Sequence, residues 1–242
     1  MIRARSLTLA AAAVLAAVFC PARASAEEDG TEAAMAIADR YGIVGFGDIQ
    51  ELRFTFNVKR GTTTFARAWT WSPVDGTVSV DTMEAGKKFT HSYNQKQLEA
   101  GDRALNEKTD RWFVNDTYWL LFPLHLAWDR GLDLTLDEDE ALPIAPGRAN
   151  RLVADYTDMG GYTPGDVYEV YFGDDRLVKQ WVFRRGGSPT PTVATTWEEN
   201  AQLGPVILSM KHRSGDGSLV IWFSDVQARM KNSTAWISPR PL

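Results

Sequence analysis

The chain has 242 residues, 44% of them hydrophobic, and a formal net charge of −5. Its 31 acidic side chains outnumber the 26 basic ones, and this excess excludes a protein that binds nucleic acid through a basic surface. A single cysteine excludes an intrachain disulfide and a thiolate metal cluster.

The first 26 residues have the organisation of a cleaved export signal. A short basic stretch precedes an apolar run at residues 7–19, and residues 24–26 read Ala-Ser-Ala, the small-x-small pattern that signal peptidase recognises. The apolar run is shorter than the about 20 residues that a spanning helix needs. We therefore predict a signal peptide at residues 1–26, one mature domain at residues 27–242, and no transmembrane segment in that domain.

Cys20 leaves a second processing route open. A lipoprotein signal ends just before a cysteine that becomes acylated, and it requires a small residue where this chain has Phe19. Cleavage after Ala26 is the preferred expectation, and lipid attachment at Cys20 is the alternative. In the preferred case 23 basic and 31 acidic side chains remain, a net charge of −8.

The mature chain is expected to open with a helix and a β-meander. Apolar residues recur at helical spacing, with Thr31 as a start signal and Gly42 as a stop. The next segment alternates, with four apolar side chains on one face: Leu52, Phe54, Phe56 and Val58. A strand at residues 62–71 follows, with Phe65, Trp69 and Trp71 on one face and small residues on the other. Both faces of that strand are compatible with burial.

The middle of the sequence predicts a buried helix. Residues 110–128 end in a dense apolar run, with Asp116 as its expected N-cap and Pro123 as its expected end or kink. The acidic residues 137–140 are expected in a solvated loop rather than a calcium site, because the spacing of calcium-binding loops is missing. The C-terminal third alternates again and predicts further antiparallel strands at residues 168–172, 177–184, 193–197, 206–212 and 218–226.

Motifs for catalysis are missing from the sequence. The three histidines, His91, His125 and His212, lie far apart, and no spacing matches a metal site or a catalytic triad. No nucleophile elbow and no phosphate-binding glycine-rich loop occurs. We therefore expect no cofactor, no metal and no enzymatic activity.

The aromatic content is high, with nine tryptophans, seven tyrosines and ten of the eleven phenylalanines in the predicted mature chain. These rings either fill an ordinary core or line an apolar cavity on the concave face of a curved sheet. In the second case the cavity wall is expected to include Trp69, Trp71, Trp112, Tyr118, Trp119, Phe122 and Trp181.

Four segments resemble the LolA/LolB-type lipoprotein-carrier superfamily, and in particular a group of secreted bacterial proteins with that fold. They are residues 52–57 (LRFTFN), 69–73 (WTWSP), 112–123 (WFVNDTYWLLFP) and 163–168 (TPGDVY). The resemblance implies an α+β fold in which an incomplete, half-open β-barrel, one curved antiparallel sheet, has helices packed on its concave side as a lid. It also implies a periplasmic protein that holds a lipid or a lipoprotein acyl chain.

Two alternatives to a ligand carrier are kept. One is an envelope interaction or structural protein whose core is filled. The other is a hydrolase of unrecognised type, which would need titratable groups brought together only by the fold.

Overall fold

A computed structural model describes residues 26–157 and 163–242. The predicted signal sequence up to residue 25, including Cys20, lies outside the described residues. The first elements are α1 (Ala26–Arg40), α2 (Ile43–Phe46), β1 (Ile49–Arg60), β2 (Thr63–Ser72), β3 (Thr77–Glu84) and β4 (Lys87–Asn94). A short 3-10 turn (Gln95–Gln97) leads to the long helix α3 (Arg103–Trp128).

Within the residues that the structure describes, ten strands follow α3. They are β5 (Leu132–Ala141), β6 (Arg148–Tyr156), β7 (Val167–Phe172), β8 (Val178–Arg184), β9 (Val193–Thr196), β10 (Glu198–Leu203), β11 (Val206–Arg213), β12 (Leu219–Met230), β13 (Trp236–Ile237) and β14 (Arg240–Pro241). A second 3-10 turn (Arg185–Gly187) separates β8 from β9. The strands predicted in the C-terminal third are therefore confirmed, and β5, β6, β10, β13 and β14 are additional to them.

The strands pair antiparallel in two sheets. The large sheet has the order β14-β10-β11-β12-β1-β2-β3-β4, with β13 also on β12, and the small sheet has the order β5-β6-β7-β8-β9. Neither sheet closes on itself in the described part of the chain. The predicted fold class, open antiparallel strands with helices packed against them, is confirmed.

The expectation of one continuous sheet was wrong, because the chain changes sheets at Trp197. The N–H of Trp197 donates to the carbonyl of Lys179 in β8, at 2.8 Å. The next residue, Glu198, already pairs with Lys211 in the large sheet. Trp197 thus joins the two sheets. The alternation of apolar and polar residues along the sequence does not show that the chain passes from one sheet to the other at this position.

Helix α1 covers the small sheet and ends as the sequence predicts. Its apolar face is buried at Ala33, Ala34, Ile37, Ala38 and Tyr41. The helix begins at Ala26, so Thr31 lies inside it and not at its start. Gly42 follows the last turn with φ of 88°, and a Cβ there would overlap the carbonyl of Pro205. Only glycine suits both conditions.

The alternation predicted for β1 is confirmed, because Leu52, Phe54, Phe56 and Val58 are buried whereas Arg53 between them is exposed. The apolar face predicted for β2 is buried only in part, since Phe65 is 40% exposed and Trp71 is half-buried. In β2 Trp69 is buried, but Ala66 and Ala68 on the opposite face are exposed. Burial of both faces of β2 was therefore a wrong expectation, because nothing in the described residues covers its outer side.

The acidic residues 137–140 lie in β5 and not in a loop. Leu132, Leu134 and Leu136 alternate toward the core, and this pattern extends the strand into the acidic stretch. Asp139 has φ of 50° at a register shift between Asp137 and Glu140. The irregularity allows exposed carboxylates to continue a strand.

Helix α3 lies between the two sheets, and its limits differ from those predicted. Asp102 is the N-cap, since its side chain accepts the N–H of Leu105 at 3.0 Å. Asp116, expected at the start, is buried in the middle of the helix. Pro123, expected to set its end, lies inside a helix that continues to Trp128. Packing on both sides of α3 outweighs the loss of one helical hydrogen bond at the proline.

Candidate ligand-binding site

The first half of α3 is attached to β2 through Asp116. Arg67 donates to this carboxylate from Nε at 2.7 Å and from Nη2 at 2.6 Å, and the indole Nε1 of Trp69 donates at 2.8 Å. Burial raises the pKa of the Asp116 carboxyl, and the hydrogen bonds from Arg67, Asn115 and Trp69 act in the opposite direction. Trp69 is therefore held as a structural donor in the core.

Trp112 also lies away from the cavities that surround α3. Its ring contacts Phe89 edge to face, with 5.7 Å between centroids. The Nζ of Lys108 lies 4.7 Å from the ring centroid, and the guanidinium of Arg67 lies 5.5 Å from it. These are cation–π distances. Trp112 lies in the first half of α3 and makes no ring contact with the other aromatic residues of the predicted site.

The second half of α3 brings four of the predicted residues together. Trp119 contacts Trp181 of β8 edge to face at 4.5 Å, and Phe122 lies 5.5 Å from the same ring. Tyr118 and Phe122 both contact Tyr168 of β7, at 5.8 and 4.9 Å. Phe122 is 1% exposed and lines no cavity around α3. It is a core residue around which the other rings are arranged.

Two adjoining cavities meet at Trp119. The first, about 280 Å³, lies against Tyr118, Trp119 and Trp181, and the second, about 310 Å³, lies against Phe56 and Phe65 of the large sheet. They share four lining residues: Asn115, Trp119, Phe183 and Arg185. We call the pair the Trp119 cavity. It is bounded by residues of both sheets.

The rim of the Trp119 cavity is polar and positively charged. Arg111, Asn115 and Arg185 are exposed, whereas Trp119 and Trp181 are buried at 9% and 3% exposure. Neither arginine forms a salt bridge with another described residue. The cavity therefore combines an apolar interior with guanidinium groups at the surface. That arrangement suits a molecule with an apolar body and a polar or anionic end.

Trp71 lines a different cavity, on the side of α3 that faces α2. This cavity, about 430 Å³, also touches Phe46, Phe113, His125 and Trp128. Of the seven residues predicted for the site, Tyr118, Trp119 and Trp181 line one cavity, Trp71 lines another, and Trp69, Trp112 and Phe122 line neither.

A hydrogen-bond network around Asp129 ends α3, and the sequence analysis did not identify it. The carboxylate accepts from the hydroxyls of Tyr156 and Tyr118 at 2.6 and 2.8 Å, and from Nδ1 of His125 at 3.0 Å. Burial opposes ionisation of Asp129, but these three donors lower its pKa below the ordinary value. Burial, together with the nearby negative charge, raises the pKa of Tyr118 and Tyr156. The spacing of His125 and Asp129, one helical turn, was the available signal.

His212 is a second residue that the sequence analysis left without a role. It is fully buried in β11 and lies 5.4 Å from the ring of Trp119 and 4.2 Å from that of Trp197. Burial lowers the pKa of His212 to about 3, with the carbonyls of Thr196 and Trp119 acting in the opposite direction. Pro123 has no N–H for the Trp119 carbonyl, which leaves this oxygen available to the imidazole. The available signal was that position 212 shares a strand face with Val206 and Leu208, which are apolar.

Neither a metal-binding cluster nor a membrane-spanning helix occurs in the described residues. Within 26–157 and 163–242, no cluster of three His, Cys, Asp or Glu side chains could hold a metal ion. None of the described helices has the length and apolar character needed to cross a membrane.

Comparison with known proteins gives matches in structure only. No protein-family model and no curated protein sequence matches the chain. A DUF1329 family protein from Desulfovibrio piger matches with 11% identity and a TM-score of 0.47, over 86% of this chain and 95% of the other. A domain from Vibrio parahaemolyticus, described as an outer membrane lipoprotein-sorting protein, has 10% identity, a TM-score of 0.49 and the same coverage.

A third match is to the MucA/MucB complex of Pseudomonas aeruginosa, with 13% identity and a TM-score of 0.27, over 86% of this chain and 59% of the other. All three TM-scores lie below 0.5, so the description of the fold rests on the strand pairing given above. By that pairing the chain is an open antiparallel α+β protein.

Proposed function

We propose that the protein is a periplasmic, non-enzymatic carrier that holds a lipid-like molecule, such as a lipoprotein acyl chain, in the Trp119 cavity. The observation that carries the proposal is the cavity itself. Two volumes of about 280 and 310 Å³ adjoin at Trp119 and are lined mainly by apolar side chains from both sheets. Together they fall within the range of about 300–1,000 Å³ that is usual for small-molecule sites.

The rim adds an orientation for the ligand. An acyl chain gains free energy by leaving water for the apolar interior, about 0.8 kcal/mol for each buried methylene. Its polar end would remain at the surface beside Arg111 and Arg185, which are exposed. Export to the periplasm, by a signal peptide cleaved after Ala26, is part of the same proposal and is supported by the sequence pattern of residues 1–26.

Substitution of Trp119 by alanine tests this proposal. The probe is N-phenyl-1-naphthylamine, whose fluorescence rises in an apolar site. We expect wild type to bind it and Trp119→Ala to lose most of the binding, because the wall common to both volumes is removed. The matched control is Trp112→Ala, which truncates a tryptophan of the same helix that lines neither volume. This control should bind the probe as wild type does.

The alternative of a filled structural core makes the opposite prediction. In that case Trp119→Ala would lower the free energy of unfolding by about 3–5 kcal/mol, the usual loss for a truncated buried aromatic residue, and wild type would not bind the probe. Chemical denaturation of both variants measures this. A wild type that ignores the probe disproves the carrier proposal whatever the variants do.

A hydrolase is the less supported alternative. The His125–Asp129 pair resembles two members of a catalytic triad, with 3.0 Å between Nδ1 and the carboxylate. The hydroxyls that contact this pair belong to Tyr118 and Tyr156, whose raised pKa values make them poor nucleophiles. In the described part of the chain no serine hydroxyl is hydrogen-bonded to any of the three histidines.

A further inference from the structure

The Trp119 cavity is lined by three arginines whose guanidinium groups are unpaired. Arg111 lines the first volume, Arg60 lines the second, and Arg185 lines both. All three residues are exposed. None of them forms a salt bridge or a side-chain hydrogen bond with another described residue. Three positive charges without a counter-charge therefore lie around one apolar cavity.

This concentration of unpaired arginines is unusual within the chain. Of the fifteen arginines among the described residues, eight are ion-paired. Arg40 donates to a backbone carbonyl, and the guanidinium of Arg176 lies over the ring of Phe172. Five have none of these contacts, and three of the five line the Trp119 cavity, the other two being Arg130 and Arg240. A chain with more acidic than basic side chains thus leaves most of its unpaired arginines at one site.

Two strands place an arginine at the end of a row of buried apolar residues. In β1, Phe56 and Val58 are 1% and 6% exposed, and Arg60 follows on the same face because strand side chains alternate. In β8, Trp181 is 3% exposed, and Arg185 follows immediately after the strand. All five side chains line the Trp119 cavity. Each strand therefore leads from an apolar interior to an exposed positive charge.

Helix α3 has the same gradient. Arg111, Asn115 and Trp119 are spaced four residues apart, so they lie along one face of the helix. Arg111 and Asn115 are exposed, whereas Trp119 is 9% exposed. All three line the first volume. Both sheets and the helix between them thus contribute an arginine to the rim and an aromatic ring to the interior.

The backbone at Arg185, the arginine common to both volumes, is held by two hydrogen bonds. Its N–H donates to the hydroxyl of Thr192 at 3.0 Å, and the N–H of Gly186 donates to the carboxylate of Asp166 at 2.7 Å. Among the described residues Asp166 is the one acidic side chain that lines either volume. The charged side chains around the cavity, three arginines and one aspartate, therefore have a net charge of +2.

Guanidinium groups with this freedom are suited to bind carboxylates and phosphates. The planar fork presents two parallel N–H donors, which match two oxygens of an anion, and the opposite charges strengthen both hydrogen bonds. The linking group of a neutral ester or amide offers one carbonyl oxygen as an acceptor and no charge. The rim therefore favours an anion over a neutral polar group.

We propose that the ligand of the Trp119 cavity is an anionic amphiphile, an apolar chain that ends in a carboxylate or a phosphate, and that Arg60, Arg111 and Arg185 bind its charged end. This inference rests on the proposed carrier function and specifies the ligand of that same site. Among lipid-like molecules it favours a chain with a free anionic end over an acyl chain joined through a neutral ester or amide.

The test measures displacement of N-phenyl-1-naphthylamine from wild type by compounds that share a decyl-length chain and differ at its end. Decanoate should bind about ten-fold more tightly than decan-1-ol, because exposed ion pairs are weak singly but three guanidinium groups act together. Decyltrimethylammonium should bind more weakly than the alcohol. Decyl phosphate should also bind more tightly than the alcohol, and its affinity relative to decanoate distinguishes a phosphate end from a carboxylate end.

Two failures can be told apart in this experiment. If decanoate and decan-1-ol displace the probe equally well, the anionic ligand is disproved and the carrier proposal stands. If wild type does not bind the probe, the carrier proposal fails and the inference fails with it.

A charge variant assigns the preference to the three arginines. It combines Arg60→Gln, Arg111→Gln and Arg185→Gln, and the ratio of decanoate affinity to decan-1-ol affinity should fall from about ten to about one. The matched control, Arg130→Gln, changes an exposed and unpaired arginine that lines neither volume, and it should keep the ratio of wild type. Circular dichroism verifies that both variants are folded. A ratio that survives in the charge variant contradicts the proposal.

Ionic strength tests the same contact in wild type without any substitution. Because the three arginines are exposed, salt screens their attraction for an anion, with a screening length of about 10 Å at 0.1 M and about 3 Å at 1 M. The ratio of decanoate affinity to decan-1-ol affinity should therefore fall as sodium chloride is added. A ratio that does not change with salt would mean that the carboxylate binds away from the exposed arginines, and it would overturn the inference.

Discussion

The first and second halves of α3 are held by different kinds of contact. In the first half the buried polar residues Asn106, Asp110 and Asp116 all bond to the large sheet. Their partners there are His91, Tyr93, Arg67 and Trp69. In the second half the contacts up to Leu124 are mainly aromatic and aliphatic, against both sheets.

Under the proposed function, this difference assigns positioning to the first half of the helix and ligand binding to the second. Hydrogen bonds are directional and fix the register of the first half against β2–β4. Aromatic packing is less directional and can adjust around a ligand. The cavities border the middle and second half of the helix, where Val114, Trp119 and His125 line them. A rigid attachment at one end thus supports an adaptable wall at the other.

For the comparison between the two halves of α3, the largest expected change in stability comes from Asp116→Ala. The change leaves Arg67 without its counter-charge and Trp69 without its acceptor, so the free energy of unfolding should fall by about 3–5 kcal/mol. Urea denaturation measures it. The control is Glu84→Ala, which removes the half-exposed partner of Lys108 and should change stability by less than about 1 kcal/mol. Similar midpoints for the two variants would show that the first half is not held by its buried charge.

A pH titration sharpens the comparison in the second half. The pKa of His212 is lowered to about 3 by burial, whereas an unfolded histidine titrates near its ordinary value of 6.5. Between these values the unfolded chain binds the extra proton, so stability is full above pH 6.5 and falls as the pH decreases. The expected contribution is about 1.4 kcal/mol lost for each pH unit between pH 6 and pH 4.

The variant His212→Gln removes this titration while keeping an N–H donor. Denaturant midpoints measured from pH 7 to pH 4 should fall less steeply for this variant than for wild type. Equal slopes for the variant and wild type would mean that stability is lost through protonation of carboxylates and that His212 does not contribute.

The smallest effect is expected at the start of the helix. Asp102→Ala removes the N-cap acceptor for Leu105 and should lower the free energy of unfolding by about 1 kcal/mol. Circular dichroism during denaturation measures this loss of stability. The control Asp133→Ala changes an exposed aspartate of β5 and should have no measurable effect. A loss at Asp102 much below that at Asp116 confirms that Asp116 acts as a buried anchor and not as the cap.

Local periodicity predicted the parts of this structure that depend on neighbouring residues. The alternation of β1, the amphipathic face of α1 and the C-terminal strands follow from which side chains are apolar. The aromatic density of residues 118–122 also indicated a segment with more than one buried face. Such features need only the geometry of a single helix or strand.

The features that the sequence did not reveal depend on contacts between residues that lie far apart in the sequence. Arg67 and Asp116 lie 49 positions apart, and their contact depends on how α3 is placed against β2. The one available signal was the position of Arg67 on the apolar face of β2, between Phe65 and Trp69. The division of the seven aromatic residues among two cavities and the rest of the packed structure likewise depends on which face of α3 meets which sheet, and periodicity does not determine that.

The pairing of β1 with β12 has a consequence for how the chain acquires its structure. Arg60 pairs with Leu219 and Ile49 with Met230, so a central ladder of the large sheet joins segments at nearly opposite ends of the chain. Contacts between segments so far apart make folding slow, because a long loop must close before they form. The sheet therefore cannot be completed until β12 has been synthesised. The proposed export would use this delay, because threading through a translocation channel requires a chain that has not completed its fold.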